Sequence, residues 1–168
     1  PTHSKTMKRR SFLKTTVGAG LVGSVAPNLL LGAAKDSPNE KLNIGIIGSG
    51  GRGRANMAGV ASENIVALCD VNGKTLAASQ KKYPKAKAYF DWRKLLEDKS
   101  IDAVTVSTAD HCHALAAVAA MRAGKHVYCE KPLAHSVHEA RVMRETYAKA
   151  KVATQMGTQI HATDNYRR

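Results

Sequence analysis

Short apolar runs alternate with longer mixed segments along most of the chain. Residues 42–47 form an apolar run that ends in glycines, the pattern of a buried strand. A helical stretch follows over 52–61. A second strand is predicted over 65–69, closed by Asp70, and a helix over 72–83, ended by Pro84. Residues 88–89 read as a brief strand, and Asp91 is placed to cap a helical turn over 92–97. Further strands are predicted over 103–107, 126–129 and 152–156. Helices are predicted over 114–123, stopped by Gly124, and over 136–151. Strands alternating with helices of this length imply βαβ units, and so an α/β fold with a doubly wound parallel sheet of Rossmann type. Residues 35–41 are polar, contain Pro38 and read as a linker, which puts a single domain at 42–168.

Residues 1–34 follow a different pattern. Lys8, Arg9, Arg10 and Lys14 precede an uncharged stretch rich in Gly, Ala, Val and Leu, which ends in small residues before Lys35. Charged, apolar and small-residue regions in that order are the anatomy of a signal peptide. Gly18, Gly20, Gly23, Pro27 and Gly32 make the apolar part a poor membrane-spanning helix. Arg9-Arg10-Ser-Phe-Leu-Lys14 resembles the twin-arginine export motif. The resemblance implies a partner in the twin-arginine machinery and a periplasmic or extracellular destination. A basic tail or a membrane anchor is the alternative. Met7 is the expected start of translation.

The chain has 168 residues and a formal charge of +13. Five of its basic side chains lie in residues 1–34, which hold no acid, and 21 basic against 13 acidic residues remain. Lys81, Lys82, Lys85 and Lys87 fall at a helix end and the turn after it, where lysines suit the helix dipole. No stacking aromatics interleave with the basic residues, so nucleic acid is not an expected partner. Cys69, Cys112 and Cys129 are odd in number, lack CxxC spacing and suggest no disulfide framework.

The first strand runs into Gly48-Ser49-Gly50-Gly51-Arg52-Gly53, a G-x-G-x-x-G loop at a strand-to-helix turn. In that setting Gly48 makes the tight turn, Gly50 lets the backbone approach a pyrophosphate, and Gly53 lets helix and strand pack closely. Asp70 ends the second strand 22 residues after Gly48, where an acid accepts hydrogen bonds from ribose hydroxyls. Its charge would repel a 2′-phosphate, so NAD is the expected cofactor. Arg52 and Lys74 keep NADP as the alternative.

Thr108-Ala-Asp-His-Cys-His113 follows one strand, and Gly124-Lys-His-Val-Tyr-Cys-Glu130-Lys131-Pro132 contains the next. These segments resemble the motifs of the glucose–fructose oxidoreductase, inositol dehydrogenase and MocA family, with Ala109 standing where that family usually has proline. The resemblance covers about 42–168, the family's N-terminal cofactor domain, and implies that its C-terminal α+β domain is absent from this chain. It implies that Thr108 and His113 line the nicotinamide side, that Glu130 contacts the nicotinamide ribose, and that a cis peptide precedes Pro132. It also implies that Lys131 reaches the reacting hydroxyl of a small sugar-like or cyclitol substrate. Lys131 has an independent rationale, since an ammonium at the C-terminal edge of a parallel sheet can hold an alkoxide and relay a proton. A plain surface lysine is the alternative. His111, Cys112, His113, His135 and His138 match no tetrahedral metal spacing, and no metal site is expected. The loop from Gly157 to His161 resembles the substrate-facing loop of exported members, with a simple connecting loop as the alternative.

Together these features predict the cofactor half of an exported NAD(P)-dependent oxidoreductase, with a homo-oligomer compatible with its full-length form. The alternatives are a non-catalytic nucleotide-binding fragment and an NAD-dependent glycosidase of the same fold. Such glycosidases usually lack the Glu-Lys-Pro triplet. The end at Arg168 falls at what reads as the start of another helix, which suggests a truncated product or fragment.

Overall fold

The computed structural model describes residues 41–158. The expected leader, most of the expected linker and residues 159–168 lie outside that range, as does most of the loop from Gly157 to His161. The elements in chain order are β1 (Asn43–Ile47), α1 (Gly51–Gly59), β2 (Asn64–Cys69), α2 (Gly73–Lys82), β3 (Lys87–Tyr89), α3 (Trp92–Leu96) and β4 (Ala103–Val106). A 3₁₀ turn (Asp110–Cys112) then leads into α4 (His113–Arg122), β5 (His126–Glu130), α5 (Val137–Ala150) and β6 (Thr154–Gly157). Each strand and helix predicted within the described residues is present, with ends displaced by at most two residues.

All six strands are parallel and lie in the order β3-β2-β1-β4-β5-β6. The chain therefore starts at the centre, moves outward through β2 and β3, returns, and moves outward the other way. β1 is held on both sides, with Ile47 opposite Cys69 of β2 and Val106 of β4. Helices on both faces of a parallel sheet bury its strands twice, which is why they read as nearly continuous apolar runs.

Period-2 alternation sorts the strand side chains into two cores. Ile44, Ile46 and Leu68 pack with Met57 of α1 and Leu76 of α2. Ile47, Cys69, Val104, Val106, Val127 and Cys129 face the other way, onto Leu95, Ala116, Ala117, Ala120 and Met121. Alanines on α4 bring that helix close to the sheet, which suits a chain with few aromatics. Burial and Asp70 and Asp91 nearby push the Cys69 thiol up to about 12, and burial with Glu130 does the same for Cys129. Both are protonated core residues.

The helix starts show local sequence logic. Asn72 accepts from the N–H groups of Lys74 and Thr75, Asp91 from that of Arg93, and Ser136 from that of Glu139. The strand expected over 152–156 begins later, at Thr154. Val152 is drawn into the core, and the Ala153 N–H donates to Nδ1 of His126 at 2.9 Å.

Part of the Gly124–Pro132 motif is structural. Lys125 is only 4% exposed, and its ammonium donates to the carbonyls of Asp98 (2.7 Å) and Ile101 (3.0 Å) at the end of the sheet away from the glycine loop. Burial lowers its pKa, while Asp98 and Asp102 oppose that shift. Lys125→Met keeps the apolar stem and removes the donors, leaving two carbonyls unpaired. The expected loss is about 1–3 kcal/mol in urea unfolding. A Lys125→Met chain as stable as the parent would show that the buried ammonium contributes nothing.

Candidate functional site

The loop after β1 is shaped by close approach. Gly48 has φ +85°, and a side chain there would run into the Ser107 carbonyl. Its N–H donates to Cys69 O at 2.8 Å, while Ser107 N–H donates to Ile47 O at 2.8 Å. A Cβ at Gly53 would fall on the carbonyl oxygen of Gly48. Helix α1 can therefore rest on the strand end only because both positions are glycine.

The start of α1 is unlike the starts of α2, α3 and α5. Its cap residue, Gly50, offers no side-chain acceptor, and its first turn carries no acid. Gly51 faces open space. N–H groups at a helix start that lack a side-chain partner, in an open glycine loop, fit the two phosphates of a dinucleotide.

Asp70 stands beside this loop. Its Oδ2 accepts from Ser49 N (2.9 Å), Ser49 Oγ (3.2 Å) and Gly50 N (3.2 Å), and Oδ1 accepts from Asn72 N at 2.9 Å. The carboxylate thus has two tasks. One oxygen shapes the phosphate loop, and the other stays at the half-exposed end of β2 with acceptor capacity for a ribose hydroxyl. Ser49 is wholly buried, so its contribution runs through its backbone and its bond to Asp70.

An open crevice of about 570 Å³ lies where strand order reverses between β1 and β4. Gly48, Gly50, Gly51, Arg52, Asp70 and Thr108 are among its lining residues, with Val71, Phe90 and Trp92 as apolar walls. This is the topological switch point, where parallel α/β sheets bind ligands.

Glu130 ends β5 and is only 4% exposed. Its Oε1 accepts from Asn56 Nδ2 (2.9 Å), Arg52 Nε (3.1 Å) and Tyr128 Oη (3.4 Å). Burial would raise its pKa, but the bonds from Asn56 and Arg52 and the guanidinium charge hold it below the usual carboxylate value. Arg52 is therefore directed to the β5 end of the site. That weakens the expectation that it would receive a 2′-phosphate near Asp70.

His113 needs a correction. The resemblance put it against the nicotinamide, yet its ring is 1% exposed. Nδ1 lies 2.7 Å from the Pro132 carbonyl and Nε2 3.1 Å from the Thr108 carbonyl. It ties the turn after β4 to the turn after β5. A neutral imidazole has one N–H and donates to only one of these two acceptors. Thr108, by contrast, lines the crevice. The Lys131–Pro132 bond is cis, as the resemblance implied. Lys131 is exposed on this turn, and no carboxylate among the described residues pairs with it. Among the described residues no three His, Cys, Asp or Glu side chains gather to hold a metal ion.

Sequence reasoning missed Asn56 and Ser107. Asn56 Nδ2 also donates to Ser107 Oγ at 2.8 Å. The available signal was an amide at i+3 from Gly53, on the helix face that the glycine turns toward the sheet.

A family model described as "Oxidoreductase family, NAD-binding Rossmann fold" matches residues 42–158. The chain belongs to this family. It is 36% identical to the inositol 2-dehydrogenase of Salmonella paratyphi B over 122 residues, 69% of this chain and 36% of that protein. It is also 36% identical over 149 residues to a glycosyl hydrolase family 109 protein of Solibacter usitatus, 78% of this chain and 34% of that protein. A solved NAD binding oxidoreductase from Klebsiella pneumoniae superposes with a TM-score of 0.69 at 34% identity, covering 76% of this chain and 37% of that one. The chain spans about a third of the length of the curated relatives it matches. Residues 42–158 are thus an NAD-binding Rossmann domain of an oxidoreductase family, and the cofactor expectation stands as NAD.

Proposed function

We propose that this domain is the cofactor half of an exported oxidoreductase that moves a hydride between nicotinamide and a hydroxyl-bearing carbon of a sugar or cyclitol. The observation that carries the reading is the placement of an exposed Lys131, unpaired among the described residues, on a turn that packs through His113 against Thr108 of the crevice wall. NAD supplies the hydride acceptor. The start of α1 would hold its phosphates, Asp70 a ribose, and Glu130 the ribose nearer the nicotinamide. Lys131 would hold the substrate oxygen and relay its proton. Further support comes from the likeness to a protein named as an inositol 2-dehydrogenase.

A second reading is favoured by the match to a glycosyl hydrolase family 109 protein. The same crevice would serve a glycosidase that oxidises and re-reduces its sugar. Product analysis separates the two. The oxidoreductase reading expects net NADH formation, whereas a glycosidase would cleave a glycoside with no net change in cofactor.

Asp70→Ser removes the charge that repels a 2′-phosphate and also frees Ser49 N and Gly50 N. NADH affinity of the chain should fall on the order of tenfold, and the NADH-to-NADPH ratio should narrow. Stronger binding of NADPH than NADH to the parent would overturn the role given to Asp70.

With the domain joined to a substrate-covering domain of the family's length, Lys131→Ala should lower hydride transfer on the order of 10²–10⁴-fold and leave NADH binding nearly unchanged. Turnover near the parent rate would make Lys131 a surface residue.

Export rests on the Arg9-Arg10 motif. Replacing both arginines with lysine should retain the precursor in the cytoplasm, because the receptor reads the guanidinium pair. Undiminished export of that variant would reject the twin-arginine reading.

A further inference from the structure

Asn56 lies on the buried face of α1, 8% exposed, between Ser107 and Glu130. Its amide nitrogen carries two hydrogens, and both are engaged: one on Ser107 Oγ beyond β4 (2.8 Å), the other on Glu130 Oε1 at the end of β5 (2.9 Å). The helix that begins at the phosphate loop is thereby fastened to the ends of two strands through one side chain. Glu130 has little freedom elsewhere. A Cβ on Gly157 would stand 2.9 Å from its carboxyl carbon, so the β6 backbone closes that side. Arg52, the other strong donor, is 44% exposed and screened by solvent, so the buried amide bond is the better anchor.

We propose that Asn56 is a positioning residue of the cofactor site: its amide fixes the orientation in which the Glu130 carboxylate meets the nicotinamide end of bound NAD. The proposal rests on the reading of the crevice given above. The cofactor would touch Glu130 and the phosphate loop, and Asn56 would keep the two in register through α1 without touching the cofactor itself.

Two substitutions in the full 168-residue chain test this by fluorescence titration with NADH and calorimetric titration with ADP, a probe of the adenosine half alone. Asn56→Ser removes the amide without adding charge. NADH dissociation should rise about five- to tenfold while ADP dissociation stays within about twofold, since one buried bond to a charged group is lost at one end of the site only. Asn56→Asp sets a second carboxylate against Glu130. The ionisable side chains bonded to Glu130 among the described residues are Arg52 of α1 and Tyr128 of β5 itself, and Gly157 of β6 lies opposite it. Arginine and tyrosine side chains do not ordinarily titrate between pH 5 and pH 8. NADH affinity of Asn56→Asp should therefore be weakest near pH 8 and recover toward pH 5, as the carboxylate pair takes up one shared proton. Equal loss of NADH and ADP binding in Asn56→Ser would show a purely structural role and overturn the proposal. So would an Asn56→Asp pH profile parallel to that of the parent. If Asn56→Asp fails to fold, Asn56→Ser alone decides. A parent chain that binds neither ligand would instead refute the cofactor reading itself.

Discussion

The contact between Gly53 and the carbonyl of Gly48 sets how close α1 comes to the sheet, and the rest of the site follows from that distance. With any side chain at Gly53 the helix would be pushed off the strand end. Gly48 meets the matching demand on the other side, where its turn brushes the Ser107 carbonyl. These two approaches put Asn56 within reach of Ser107 and Glu130, and Arg52 within reach of Glu130. They also leave the start of α1 open, with no acid in its first turn, as a phosphate site needs. A helix pushed off the strand end by a side chain at Gly53 would stretch the Asn56 bond to Glu130 and spoil the fit of the loop together.

Charge is distributed along the crevice in a corresponding way. Asp70 marks one end and shapes the phosphate loop through Ser49 and Gly50. Glu130 lies beyond the other end, bonded to the crevice-lining Arg52 and kept ionised by Asn56 and Arg52 although it is nearly buried. Between them the helix start offers N–H groups and no negative charge. His113 contributes by packing between a carbonyl of the turn that lines the crevice and one of the turn that carries Lys131, donating to one of them. Carboxylates at the two ends and unsatisfied donors in the middle complement a molecule with two riboses and two central phosphates.

Much of this was legible in the sequence, for physical reasons. Parallel strands buried on both faces leave nearly continuous apolar runs, so the succession of strands and helices and the α/β class could be read directly. Positive φ and close approach demand glycine, so Gly48 and Gly53 announced the loop. Asp70 was visible because its distance from the loop is fixed by one βαβ unit. The misses share a cause: they are contacts between side chains far apart in sequence. Nothing local shows that Arg52 would turn to Glu130, 78 residues away, or that Asn56 would bridge two strand ends. His113 and Lys125 sit in motifs that suggested chemistry, yet each donates to backbone carbonyl oxygen, His113 to one and Lys125 to two. A polar residue in a recurrent motif is as compatible with closing a turn as with touching a ligand.

The central claim is that the glycine loop, the crevice wall at Thr108 and the Glu130–Lys131 turn answer to a single cofactor. Amide hydrogen exchange of the chain with and without saturating NADH tests it most directly. Protection should rise over 48–53 and, in the same titration, over 108–112 and 130–133, with the same concentration dependence at all three segments. Protection confined to the glycine loop, or none at saturating NADH, would contradict the account.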